Sequence, residues 1–161
     1  MKTTLAPSPA RRALIGALLA GSAAPWVLAR NATPLVEVWK DEGCGCCGDW
    51  VRHMEQAGFQ LKVHDGGHHP MREKLGLPRQ YASCHVALVG GYLVEGHVPA
   101  TDVRRLLRDK PQALGLAVPG MPIGSPGMDG PAYGNRQDPY DVLLVARDGS
   151  STVFQRYPAK G

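Results

Sequence analysis

Residues 44–47 read Cys-Gly-Cys-Cys, and they stand where one hydrophobic period gives way to another. Before them, PLVEVWK (34–40) alternates with period two, with Val36 and Val38 on one face and Leu35, Glu37 and Trp39 on the other. After them, Trp50, Val51, Met54 and Ala57 recur at helical spacing, and Gly58 supplies a stop. The chain must therefore turn from strand to helix at the cysteines themselves.

The rest of the chain continues the alternation. FQLKVHD (59–65) reads as a second strand with Phe59, Leu61 and Val63 on one face, and PMREKLG (70–76) as a short helix from Pro70 to Gly76. HVALV (85–89) and YLVEGHV (92–98), joined by Gly90–Gly91, read as a hairpin. TDVRRLLRD (101–109) reads as a helix with Thr101 as its cap. The segment from Gly115 to Gly134 holds six Gly and four Pro, a density that argues against any regular helix or central strand. YDVLLVA (140–146) and STVFQRY (151–157) then form a closing hairpin about Asp148–Gly149. The expected fold is α/β: a thioredoxin-like order of elements, with a mixed central sheet, flanking helices and an added C-terminal hairpin.

Residues 1–29 have a different character. A basic start, an apolar run from Ala13 to Ala20, small residues and no acid describe an export signal, with cleavage expected after Val27–Leu28–Ala29. The run is short for a bilayer span, so no stable membrane span is expected after cleavage. Arg11–Arg12 suit twin-arginine export, although general secretion signals carry such pairs too. Residues 30–161 would then form one domain in the periplasm. Losing Lys2, Arg11 and Arg12 leaves 15 basic against 14 acidic side chains, a net charge of +1. No basic run interleaves with aromatics, so nucleic acid is not an expected partner. A domain of this length buries roughly two-thirds of its unfolded surface, and needs no staples to be stable.

The chain has four cysteines, and the fourth is Cys84. Three readings compete. A disulfide framework would stabilise a binding module, but bridges among near neighbours close tiny rings that gain little. A thiol–disulfide oxidoreductase would use Cys44 to attack and Cys47 to resolve, since a helix start favours thiolate. Against it, Cys46 offers a competing partner, and Ser83 stands where thioredoxin-like enzymes carry a proline. In the third reading, the hairpin loop brings Cys84 beside Cys44, Cys46 and Cys47 to hold a soft metal. Three thiolates in four residues suit bridged Cu(I) better than one tetrahedral zinc ion. An iron–sulfur cluster stays open, since folded cofactor proteins can use twin-arginine export, and copper is favoured on ligand softness and compartment. His85 is a candidate ligand or neighbour, and Met121 and Met128 are soft donors on a loop that could cover the site. His97 reads as a core-edge histidine or a ligand, and His64, His68 and His69 as a solvated loop or a metal clip. Asp49 reads as a helix-start acid and Trp50 as core.

CGCCGDWVRHMEQAGF, SCHVALVGGYLVEGHVPATDVRRLL, GLAVPGMPIGSPGM and YDVLL together resemble the CopG-type periplasmic copper-resistance family, a metal-binding family whose domain is catalogued as one of unknown function. The resemblance covers residues 34–157. It implies a thioredoxin-like fold, export, and Cu(I) held by Cys44, Cys46, Cys47 and Cys84 in a cluster of several ions. It also implies a role in copper oxidation-state handling, with other exported copper-handling proteins as partners. His85, Met121 and Met128 carry over more weakly. Catalysis by a copper/thiol oxidoreductase and simple copper buffering both remain open at this point.

Overall fold

In a computed structural model of the chain, residues 34–160 are described. The segment read as an export signal lies outside them. The elements run β1 (Leu35–Lys40), α1 (Gly45–Gln56), β2 (Gln60–Asp65), α2 (His68–Lys74), β3 (His85–Val89), β4 (Tyr92–Glu95), α3 (Ala100–Asp109), β5 (Gly115–Ala117), β6 (Tyr140–Val145) and β7 (Ser151–Tyr157). The seven strands form one mixed sheet in the order β2-β1-β3-β4-β5-β6-β7. β1 pairs parallel with β2 and antiparallel with β3, and β4 pairs parallel with β5.

Period-two alternation divides the core between the two faces of this sheet. Val36, Val38, Ala87, Val89 and Val94 face α1 and α3, where they meet Trp50, Met54, Val103 and Leu106. Val86, Leu93, Ala117 and Val145 face the other way, against Leu77 and Tyr81 just beyond α2. β2 is an edge strand, and Val63 is 40% exposed on it, so its alternation buries less than the sequence suggests.

β4 ends at Glu95, three residues short of the strand read over 92–98, and the chain departs from the sequence reading in three further places. α2 begins at His68, two residues before Pro70, so His68 and His69 are helical and His68 is buried. α3 is capped at Pro99, and Thr101 lies inside the helix with no side-chain cap bond. The third departure is β5, a central strand at the head of the Gly/Pro-rich segment, fully buried between β4 and β6. Composition misleads there because Gly115 is needed for close approach, not for a turn. It pairs with Leu93, and a Cβ at Gly115 would run into the Leu93 carbonyl. β5 also joins the C-terminal hairpin to the main sheet, so that hairpin extends the sheet instead of standing apart.

Gly115→Ala should therefore lower stability by about 1–3 kcal/mol through overpacking against β4. A urea titration of the two proteins measures the difference, and an unchanged midpoint would refute this account of β5.

Candidate metal centre

The cysteines sit where the end of β1 and the start of β3 lie side by side. Lys40 pairs with His85 in the antiparallel register, so the chain leaving β1 toward Cys44 and the chain entering β3 through Cys84 meet at the same edge. Cys44 is the residue before α1, with its N–H on the Asp41 carbonyl at 3.1 Å; Cys46 and Cys47 occupy the first turn. Cys44 and Cys47 are joined as a disulfide, and Cys46 and Cys84 are free thiols.

Cys46 Sγ lies 3.6 Å from Cys44 Sγ and 4.0 Å from Cys84 Sγ, while the Cys47 sulfur lies 3.7 Å from the Cys84 carbonyl oxygen. All four sulfurs fall within 4.8 Å of one another. A second group shares Cys84: His85 Nδ1 is 3.4 Å and His97 Nε2 3.1 Å from its sulfur. Both imidazoles are fully buried, His85 against the Trp50 ring at 4.5 Å and edge-on to His97 at 5.1 Å. Strand alternation would send His85 away from Cys84, but Cys84 precedes the first paired residue of β3 and escapes the pleat.

The Gly/Pro-rich segment closes over this corner. His97 Nδ1 donates to the Pro126 carbonyl oxygen at 2.8 Å, which leaves Nε2 toward the sulfur as an acceptor. Gly127 has φ +89°, and a Cβ there would stand 2.5 Å from the Cys46 carbonyl oxygen, so only glycine lets the loop lie so close to α1. Trp50 is core, its indole N–H on the Val98 carbonyl at 2.9 Å.

The electrostatics favour neutral groups until a cation arrives. Burial, with Cys46 beside it, pushes the Cys84 thiol up to about 12. Burial likewise lowers the His97 imidazole below its ordinary value and His85 well below it, the neighbouring His97 adding to the effect on His85. His85 Nε2 is buried with no hydrogen-bond partner. Neutral imidazoles and a thiol that gives up its proton only to a positive charge make a donor set suited to a soft cation.

The other sequence candidates make these contacts. Met121 is 52% exposed, and the Met128 thioether accepts the Tyr133 hydroxyl at 3.5 Å. His64 stacks on Trp39 and meets Glu37 at 3.0 Å. His68 meets Asp41 at 3.2 Å, and His69 meets Arg72 at 3.1 Å. Among the described residues these three histidines share no set of three close donors. Asp49 lies beyond the first turn of α1 and pairs with Arg52. His97, read from the sequence as a core-edge histidine or a ligand, is buried and presents Nε2 to the Cys84 sulfur, because the chain leaves β4 at Glu95 and turns back beside the loop that carries Cys84.

The depressed imidazoles set a direction for acid stability. The unfolded chain binds protons at His85 and His97 near pH 6.5, whereas the folded chain resists them, so stability falls as pH drops below 6.5. In the metal-free protein the urea midpoint should fall steadily from pH 6.5 downward, and His85→Gln should flatten that fall. An equal slope in both proteins would sink this account.

The family model for "Protein of unknown function, DUF411" matches residues 81–128, the stretch from the Cys84 loop through Met128. A comparison with curated proteins returns no match. Two solved structures are similar, both described as copper resistance protein copG. Form 1 is 42% identical, with a TM-score of 0.72, covering 78% of this chain and 98% of its own. Form 2 is also 42% identical, with a TM-score of 0.73, covering 78% of this chain and 99% of its own. At that identity over nearly the whole of those structures, the chain belongs to the CopG-type copper-resistance family.

Proposed function

We propose that this protein holds copper as cargo, in the form of Cu(I), on the thiolates of Cys44, Cys46, Cys47 and Cys84, with His85 and His97 flanking Cys84. The observation that carries the reading is the convergence of four sulfurs from two distant loops to within 4.8 Å. Cu(I) is the softest of the available cations, and sulfurs this close can bridge more than one ion. Zinc and iron–sulfur clusters match the donor type but not the company the chain keeps, since its structural relatives are described as copper resistance proteins. Met121 and Met128, on the covering loop, are further soft donors for the same cargo.

The same corner suits redox coupling. With the Cys44–Cys47 disulfide formed, two thiols remain; with it reduced, four are available. The Cys44/Cys47 dithiol can give two electrons to two Cu(II), yielding the disulfide, two Cu(I) and two protons. In the other direction, two electrons open the disulfide and complete the donor set. A metal-free thiol–disulfide oxidoreductase is the second reading, favoured by the disulfide at the start of α1. The strand order β2-β1-β3-β4, with α1 and α3 on one face and α2 on the other, supports a thioredoxin-like core for either reading. Residues 1–29 would direct export, and residues 30–161 would work in the periplasm beside other exported copper-handling proteins. No helix among the described residues is long and apolar enough to cross a membrane.

Anaerobic copper loading followed by metal and free-thiol counts tests this reading. The reduced wild type should retain copper with its thiols protected. Cys84→Ser should weaken binding by about a hundredfold, at or above the effect typical of losing an outer partner alone. Copper retention by Cys84→Ser equal to wild type would remove the proposal, and a copper-indifferent Cys44/Cys47 couple would install the oxidoreductase.

A further inference from the structure

The face of the sheet opposite α1 carries a buried ion pair close behind the cysteine corner. Arg72 on α2 is 5% exposed and Glu95 on β4 is 0% exposed. Arg72 Nε and Nη2 stand 2.9 and 2.6 Å from Glu95 Oε1. As a source of stability such a pair is a poor device, because apolar residues of similar volume commonly do as well or better. Burial raises the Glu95 carboxyl above its ordinary value, while the Arg72 guanidinium and the Ser83 N–H draw it back toward the ionised form.

What distinguishes the pair is its third partner. The Ser83 N–H donates to Glu95 Oε1 at 2.6 Å, and Arg72 Nη2 donates to the Ser83 carbonyl oxygen at 2.7 Å. Both main-chain groups of the residue immediately before Cys84 thus end on one ion pair. These bonds are charge-assisted, about twice as strong as neutral ones. Further ties of this loop run to the Gly/Pro-rich segment, through Gly120 N–H to the Ala82 carbonyl at 3.1 Å and Ser83 Oγ to the Gly120 carbonyl, and to α1 through the Cys47 sulfur near the Cys84 carbonyl at 3.7 Å. α2 also reaches the second cysteine loop: one turn before Arg72, His68 meets Asp41, whose carbonyl accepts the Cys44 N–H.

We propose that Arg72 and Glu95 are positioning residues for the thiol cluster, holding both backbone groups of Ser83 so that the Cys84 sulfur stands in reach of Cys46. α2 then acts as a strut between the two cysteine loops, from the side of the sheet away from the sulfurs. In its metal readout this inference rests on the copper reading above; in its thiol readout it does not.

The test is the double variant Arg72→Met/Glu95→Leu in the full chain, which removes both charges together and leaves neither buried alone. Three measurements are made: the urea midpoint, the rate at which diamide oxidises Cys46 and Cys84 to a disulfide in metal-free protein whose Cys44–Cys47 bond is intact, and the Cu(I) affinity of the reduced chain against bicinchoninate. Diamide takes the two electrons and two protons that the thiols release. The variant should still unfold in one cooperative urea transition, cross-linking should slow about tenfold or more, and Cu(I) affinity should fall about 10–100-fold, the range for losing an outer partner. A folded double variant that cross-links at the wild-type rate would overturn the proposal. If that variant does not fold, Arg72→Lys decides, because a single ammonium cannot serve Glu95 and the Ser83 carbonyl with the guanidinium's planar fork. Slowed cross-linking in a folded Arg72→Lys supports the proposal, and the wild-type rate overturns it. Slowed cross-linking in a variant of a wild type that binds no Cu(I) would sink the copper reading and leave the strut standing.

Discussion

The antiparallel register between β1 and β3 is the constraint on which everything at the cysteine corner depends. Lys40 opposite His85 is the last rung of that ladder, and the two chains that diverge from it carry Cys44 and Cys84. A slip of one residue would either turn Val36 and Val38 out of the core or send the His85 side chain to the α2 face. The register is secured by burial on both faces: Val36, Val38, Ala87 and Val89 on one, Val86 on the other. The hydrophobic pattern of two ordinary strands therefore determines the distance between sulfurs that are 38 residues apart.

Around that ladder, the two faces of the sheet do different work. The α1 face brings the helix start, with Cys46 and Cys47, beside Cys84, and Trp50 of the same helix against buried His85. The α2 face brings Arg72 to Glu95, and through them to the backbone of Ser83. Alternation along β4 separates these roles: Val94 joins the core under α1 and α3, while Leu93 and Glu95 face α2. The Gly/Pro-rich segment then seals the corner, made possible by Gly127 against Cys46 and anchored by the Pro126 carbonyl on His97.

Burial gives the corner its chemical bias. A thiol pushed up to about 12 and imidazoles held neutral are poor acids and bases in water, yet they are good donors to a soft cation that takes the proton's place. Protons and copper would then compete for the same sulfurs, and the outcome would depend on whether Cys44 and Cys47 are bonded to each other.

Much of this was legible in the residues. Period-two and helical spacings located β1, α1, β3, α3, β6 and β7 to within a residue or two at most ends, because each buries one clear apolar face, while β4 stops at Glu95, three residues short of the strand read over 92–98. The four sulfurs were legible as a candidate cluster because three of them share four positions. β5 was hidden: its glycine signals a turn by composition, and only the close pairing with Leu93 explains it. His68 and His69 were hidden by the Gly66–Gly67 turn before them, which reads as loop while the next residue opens a helix. Arg72 and Glu95 carry no local mark at all, since a lone polar residue beside an apolar run looks the same whether it is solvated or buried. Sequence alone determined which side chains were available and which local elements carried them, because periodicity and turn chemistry are properties of short segments. The tertiary structure decided which of them meet. The Cys84–Cys46 approach, the two imidazoles on one sulfur and the ion pair behind Ser83 all arise from strand register and from which face of the sheet each helix covers, and both are set by packing across long separations.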